Sequence, residues 1–291
     1  MPTPSPSLVA GHWYAERARV SDTVRSRRPP TFTEPVSQAV TAAQIEDPAF
    51  RRWTEALNHR MMFHRKLWEW CYTLEALDGA EMLRPGRRAL GFGVGTEALP
   101  AVLAARGVEV LATDQPPQEA GQWAETNQHA TSLEALVRDD LCDRNDFDRL
   151  VSFRPVDMRA IPADLRGFDA LWSSCCFEHL GSPRAGLDFV LEAMDCLRPG
   201  GLAVHTTEYD VHDSAKIVDL GAVVLYRRAE LAGLARELRR RGHRLECNFC
   251  LPSDDPRDQH EDAEPYTDVH LRIKLGPTAA TSFGLIIRKA A

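Results

Sequence analysis

Lysine is scarce in this chain. Of 35 basic residues only Lys66, Lys216, Lys274 and Lys289 are lysines, and acidic residues outnumber basic ones to leave a net charge of −7. A nucleic-acid binder usually carries a basic face, so no nucleic-acid partner is expected. Long apolar runs are missing too. None approaches the roughly 18–20 residues needed to cross a bilayer. The opening MPTPSPSLVAGHWYAERARV lacks the basic start and apolar stretch of a secretory leader, so no membrane partner is expected. A disulfide framework is absent as well. The seven cysteines (Cys71, Cys142, Cys175, Cys176, Cys196, Cys247 and Cys250) are odd in number and sit mostly in apolar runs. That reads as a reduced, cytoplasmic protein using thiols as small core residues. No internal repeat is visible.

What is present is ordinary globular composition, 44% hydrophobic and 26% charged, which excludes wholesale disorder and coiled coil. The 291 residues exceed the roughly 150–200 of one α/β nucleotide-binding unit, so the surplus needs a role. Residues 1–45 hold much Pro, Ser and Thr and read as a flexible or irregular tail. Residues 46–85 read as a helical cap: Phe50, Trp53, Leu57, Met61, Phe63, Leu67, Trp70, Leu74 and Leu77 recur mostly at three- and four-residue steps. Trp53, Trp68 and Trp70 are expected in the core.

Residues 86–291 alternate strand and helix signals. The strands are RRALGF, VEVLATD, VSFRPVD, FDALWSS, LAVHTTEY, RLECNFCL and TSFGLIIRK. The helices lie at Thr96–Arg106, near Leu133–Val137, in PRAGLDFVLEAMDCL and at Arg228–Arg241. Such alternation implies a largely parallel sheet covered on both faces.

The strongest motif is Leu90-Gly91-Phe92-Gly93-Val94-Gly95-Thr96-Glu97, between a strand and a helix. A glycine turn there lets backbone approach a nucleotide. Asp114 ends the next strand and can accept from ribose hydroxyls. The same residues satisfy the dinucleotide pattern G-x-G-x-x-A, so an NAD-dependent oxidoreductase stays open at this point. Three features favour S-adenosylmethionine: Val156-Asp157-Met158 closing the third strand, where the acid can accept from an adenine amino group; Pro199-Gly200-Gly201 before the fifth; and two closing strands joined by a long excursion.

With these segments the chain resembles the class I S-adenosylmethionine-dependent methyltransferases, through ALGFGVGTE, VLATDQ, VSFRPVDM, FDALWSSCCFEHL and CLRPGGLAVHTTE. The resemblance implies a Rossmann-like α/β three-layer sandwich whose seven-stranded sheet has a reversed last strand, here with an N-terminal helical extension. It implies S-adenosylmethionine as cofactor. The implied contacts are Gly91, Gly93, Gly95 and Glu97 in the loop, Asp114 and Gln115 beyond it, then Asp157, Met158 and Ser174. Two places depart from the family pattern. Gly91 stands where an acid is usual, and Glu97 where a third glycine is; Glu97 is a candidate replacement for the missing charge. The altered motif also motivates a rival reading, a non-catalytic partner protein that kept the fold.

The resemblance places the acceptor near the ends of FDALWSS and LAVHTTEY. His205, His179 and Glu178 are the catalytic candidates, because imidazole titrates near neutrality. His205 is favoured for its polar strand end, His-Thr-Thr-Glu. Cys175, Glu208, Tyr266 and His270 are candidate substrate contacts, the last two from the acidic excursion SDDPRDQHEDAEPYTDVH. Trp123 and His129 are candidate pocket edges, and His59, Arg60, His64 and Arg65 are candidate polar residues of a cover. The region also resembles the E-x-x-E-H metal motif of ubiquinone-pathway and small-RNA methyltransferases, but Cys175 replaces the first carboxylate, and no metal is expected. Cys247-Asn248-Phe249-Cys250 lacks a second ligand pair and reads as structural. The expected activity is O-methylation of a small-molecule hydroxyl, on a sugar or secondary metabolite, with a homodimer as a candidate assembly.

Overall fold

The alternating apolar runs and helix signals fold into one twisted sheet with helices on both faces, seen in a computed structural model that describes residues 29–117, 128–221, 223–251 and 254–291. The chain opens with β1 (Ser37–Ala39), α1 (Ala42–Ile45), α2 (Pro48–Ala56), β2 (Phe63–His64) and α3 (Arg65–Gly79). Then follow β3 (Arg88–Phe92), α4 (Leu99–Ala104), β4 (Glu109–Asp114), α5 (Arg144–Leu150), β5 (Val151–Pro155), β6 (Phe168–Ser174), α6 (Pro183–Ala193) and β7 (Leu197–Asp210). The last part holds β8 (Val218–Asp219), β9 (Val224–Leu225), α7 (Arg228–Arg240), β10 (Cys247–Asn248), α8 (Pro256–Gln259), β11 (Glu261–Asp262), β12 (Val269–His270), β13 (Arg272–Leu275) and β14 (Thr278–Arg288).

Helix starts follow local chemistry. Asp47 caps α2 and Ser182 caps α6, each accepting from a backbone N–H of the first turn, with proline at the first helical position. The sheet order is β10-β1-β14-β7-β6-β3-β4-β5. The run β7-β6-β3-β4-β5 is parallel, and β14 lies antiparallel beside β7, as the resemblance implies. One core cluster joins α2, α3 and α4 to the sheet; a second lies under α6 and α7. Among the described residues no helix is long and apolar enough to cross a membrane.

Three expectations change. The expected tail over residues 1–45 ends earlier, because residues 37–39 form β1, inserted between β14 and β10. Its register is held by Ile286 N donating to Ser37 Oγ at 3.0 Å. RLECNFCL contributes only Cys247–Asn248, because β1 occupies the edge of β14 that it would otherwise pair with. The excursion before β14 is not a bare loop: β13 forms a hairpin with β14, and β12 pairs with β2.

The helical cap is consequently part of the sheet's own packing. Tyr72 of α3 lies flat on β14 at Gly284, where any Cβ would sit 2.2 Å from the Tyr72 ring. Its hydroxyl donates to the Val36 carbonyl at 2.6 Å, and its ring stacks on Trp68. Trp53 and Trp68 are buried as expected, each indole N–H satisfied by Glu75 or Gln44. Trp70 is instead half-buried and faces the pocket.

Candidate active site

A pocket of about 440 Å³ opens at the C-terminal ends of β3, β4 and β6, a size typical of small-ligand sites. Its floor is the glycine loop. Gly93 and Gly95 have φ of +58° and +53°, a region that L side chains rarely adopt, and a Cβ on Gly95 would strike the Gln128 carbonyl at 2.6 Å. The loop is tied to the next strand through Asp114. Its carboxylate accepts from the backbone N–H groups of Gly95 (3.0 Å), Gln115 (2.8 Å) and Ala130 (2.9 Å). Burial raises this carboxyl, and those amides partly offset the shift. Two carboxylate oxygens offer about four acceptor positions, so capacity remains for a ribose hydroxyl.

Further along, Val156, Asp157 and Met158 line the pocket. Asp157 is gripped by Arg159 at 2.9 Å, which holds its carboxyl below the usual range. At the other end stand Glu97 and Ser174. Glu97 is buried and accepts from the Trp172 indole N–H at 2.5 Å. Burial pushes its carboxyl up to about 8. The Ser174 hydroxyl is buried beside Glu97 and favours its ionised form.

The altered glycine motif now has a physical account. A Cβ at Gly91 would lie 2.4 Å from the Trp172 ring. Trp172 fills the space where the family's usual acid would stand and passes a hydrogen bond to Glu97. Gly91 itself is covered and does not line the pocket, which corrects its expected cofactor contact.

The acceptor-side wall comes from two places. Cys175, Cys176 and His179 follow β6, while Lys66, Glu69 and Trp70 project from α3. Spacing at i, i+3 and i+4 puts the last three on one helix face. Glu69 is fully enclosed. It accepts from Thr206 Oγ1 (2.9 Å), from the Cys175 thiol (3.1 Å) and from Ser282 Oγ. Lys66 Nζ lies 3.4 Å from Glu69 and 3.3 Å from Glu208, and Arg65 Nη1 lies 2.6 Å from Glu208. Burial would raise the Glu208 carboxyl, but the cations Arg65 and Lys66 outweigh it and hold it at about 2. Burial raises both thiols, Cys175 and Cys176, well above their usual range.

Several expected site residues are elsewhere. His205 is fully buried among Phe177 and Phe189, its Nδ1 2.7 Å from Ser173 Oγ, and burial lowers it to about 3. It cannot reach the pocket, so it is removed as the candidate base. Glu178 and Glu208 are buried behind the wall and do not line the pocket. Thr207 Oγ1 donates to Glu178 at 3.1 Å, and burial raises the Glu178 carboxyl. Tyr266 is 55% exposed, and His270 stacks on His64 and bonds Asp262; neither lines the pocket. His129 holds the Gln115 carbonyl at 2.6 Å, while Trp123 lies outside the described residues. Among the described residues, Cys175, Glu178 and Glu208 group at metal-ligand spacing, but Arg65 and Lys66 already neutralise Glu208.

The residues present suit S-adenosylmethionine. With that cofactor bound, Asp114 would accept from a ribose hydroxyl, Met158 would offer an apolar face to the base, and buried Glu97 with Ser174 would take the ammonium group. A dinucleotide would bring its pyrophosphate to this helix start, against the Glu97 carboxyl.

Residues 90–205 match the family model described as a methyltransferase domain. No curated protein matches the sequence. Similar solved structures include a candidate sarcosine dimethylglycine methyltransferase from Galdieria sulphuraria, with 11% identity over 84% of this chain and 99% of that chain and a TM-score of 0.44. An arsenic (III) S-adenosylmethionine methyltransferase from Chlamydomonas reinhardtii has 22% identity over 71% and 64%, with a TM-score of 0.43. The CcbJ methyltransferase from Streptomyces caelestis has 15% identity over 74% and 93%, with a TM-score of 0.43. The matched segment contains the glycine loop, Asp114, Asp157 and Ser174, so residues 90–205 carry a methyltransferase domain of the S-adenosylmethionine-dependent kind.

Proposed function

We propose that the protein methylates an oxygen of a small-molecule acceptor in the cytoplasm, with His179 as proton acceptor. The observation that carries this reading is the position of His179 on the wall of the pocket that Lys66, Glu69 and Trp70 of α3 also line. Bound S-adenosylmethionine supplies an electrophilic methyl group. The chain's residues do the rest. The glycine loop and Asp114 orient the nucleoside, and Glu97 and Ser174 hold the amino-acid end. Trp70 and the stem of Lys66 exclude water from the acceptor side. His179 takes the hydroxyl proton as the oxygen becomes nucleophilic. Glu178 Oε1, 4.0 Å from His179 Nε2, supports the imidazolium so formed.

The test is cofactor binding followed by methyl transfer. Stabilisation by S-adenosylhomocysteine and not by NAD is expected, followed by transfer of a labelled methyl group to hydroxyl acceptors. Transfer to amines alone would overturn the oxygen assignment.

Glu97 gives a sharper readout. Its carboxyl is mostly protonated below about 8 in the free pocket, whereas an ammonium partner favours the ionised form. Binding is therefore expected to release a proton near pH 7, and affinity should rise with pH until about 8. Glu97→Gln should weaken S-adenosylhomocysteine roughly 10–100-fold, the value of a hydrogen bond to a charged group, and abolish the proton release. Calorimetry in two buffers of different protonation heat checks both; an unchanged proton release in the variant would remove Glu97 from the site.

A further inference from the structure

We propose that Lys66 selects the acceptor: the substrate carries an acidic hydroxyl on a ring, a phenol or enol, whose oxyanion, formed as the proton passes to His179, is held against the Lys66 ammonium. This rests on the oxygen-methylation reading and narrows it.

The geometry of the ion cluster carries the argument. Lys66 Nζ is fixed by two carboxylates from different elements, Glu69 of α3 at 3.4 Å and Glu208 of β7 at 3.3 Å. An ammonium has three donors, so one is left for the pocket. Exposure decides which charge the acceptor meets. The Lys66 side chain is 37% exposed, against 1% for Glu69 and 8% for Glu208. Glu69 is otherwise engaged by Thr206, Cys175 and Ser282; Glu208 is engaged at Oε1 by Arg65, and its unpartnered Oε2 is buried in a residue that does not line the pocket. The acceptor therefore meets a cation.

That cation is not a base. Burial alone would lower the Lys66 amine, but Cys175, Glu69 and Glu208 outweigh it and hold it above its usual range. A fixed cation lowers the pKa of a neighbouring hydroxyl and disfavours a second positive charge. An amine acceptor would end as a cation beside Lys66, which works against N-methylation. An aliphatic alcohol is too weak an acid for Lys66 to hold as its anion, whereas a phenol is acidic enough. Trp70, one turn along the same helix face, offers a flat apolar surface for the ring.

The step balances simply. The hydroxyl proton passes to His179 and then to solvent. The acceptor oxygen forms a bond to the methyl carbon as that carbon's bond to sulfur breaks, and sulfur keeps the electron pair.

The test compares the full-length protein with Lys66→Met and Lys66→Arg. The probes are substituted phenols of graded acidity, with matched benzyl alcohols and benzylamines. Wild type should prefer phenols. Lys66→Met should lower kcat/KM for phenols roughly 10–100-fold, the value of losing a charged hydrogen bond. Its acid limb of kcat/KM should move toward the pKa of the free phenol. Lys66→Arg should keep most of the preference, and both variants should bind S-adenosylhomocysteine as wild type does. If Lys66→Met does not fold, competition by the phenol series against wild type decides: tighter binding of the more acidic members supports the proposal, and flat affinity overturns it. Equal use of benzyl alcohols and phenols overturns this inference alone. Transfer to no hydroxyl at all overturns the oxygen reading as well.

Discussion

His179→Gln is expected to lower kcat by about 10²–10⁴-fold, the range general-base catalysis contributes, with S-adenosylhomocysteine affinity unchanged. His179 ends the short 3₁₀ turn Phe177–His179, where its backbone N–H donates to the Cys176 carbonyl. Glutamine can occupy that place without a buried charge, so the fold should survive. What it cannot do is accept a proton. The loss should therefore fall on kcat and not on cofactor binding, and single-turnover kinetics would show it in the chemical step. Wild-type turnover in the variant would show that the acceptor loses its proton elsewhere, to solvent or before binding.

Glu208→Gln is expected to be among the most destabilising single changes in the chain. Glu208 balances Arg65, and in part Lys66, inside the protein. Removing one member of a buried ion cluster leaves the others uncompensated and costs about 3–5 kcal/mol. In a domain of this size that is roughly a 10 °C fall in thermal midpoint. The pH dependence has a definite sign. The folded Glu208 carboxyl sits near 2, below its ordinary 4.5, so its contribution is present above pH 4.5 and is lost as pH falls toward 2. The gap between wild type and variant should narrow over that window. Thermal melts from pH 7 down to pH 3 measure it. A constant gap would mean that the damage comes from packing and not from charge.

The parts legible in the sequence are those specified locally. β3, β4, β5, β6 and β7 were expected because each apolar run is bounded by turn residues. The glycine loop and Asp114 were expected because strand, turn and helix fix their spacing. The failures share a cause, which is dependence on distant partners. Ser37–Ala39 has no apolar alternation and becomes a strand only because β14 offers an edge. His205 lies in a polar strand end that looked catalytic. That polarity instead serves interior hydrogen bonds: His205 to Ser173, Thr206 to Glu69, Thr207 to Glu178. Lys66, Glu69 and Trp70 were hidden in a helix whose pattern reads as an amphipathic cover. Two signals were available, a charged pair with a tryptophan at helical spacing, and the first of only four lysines in the chain.

The insertion of β1 between β14 and β10 also constrains the order of folding. β1 is synthesised first, yet its partners Phe283 and Gly284 belong to the last strand made. Tyr72 likewise has no surface to rest on until Gly284 is in place. Contacts of such long sequence separation form late and slowly. On the ribosome the parallel half of the sheet can assemble as it emerges, but the acceptor wall must wait until β14 is free to join. A nascent or C-terminally shortened chain would then hold the nucleoside wall without the surface that recognises the acceptor.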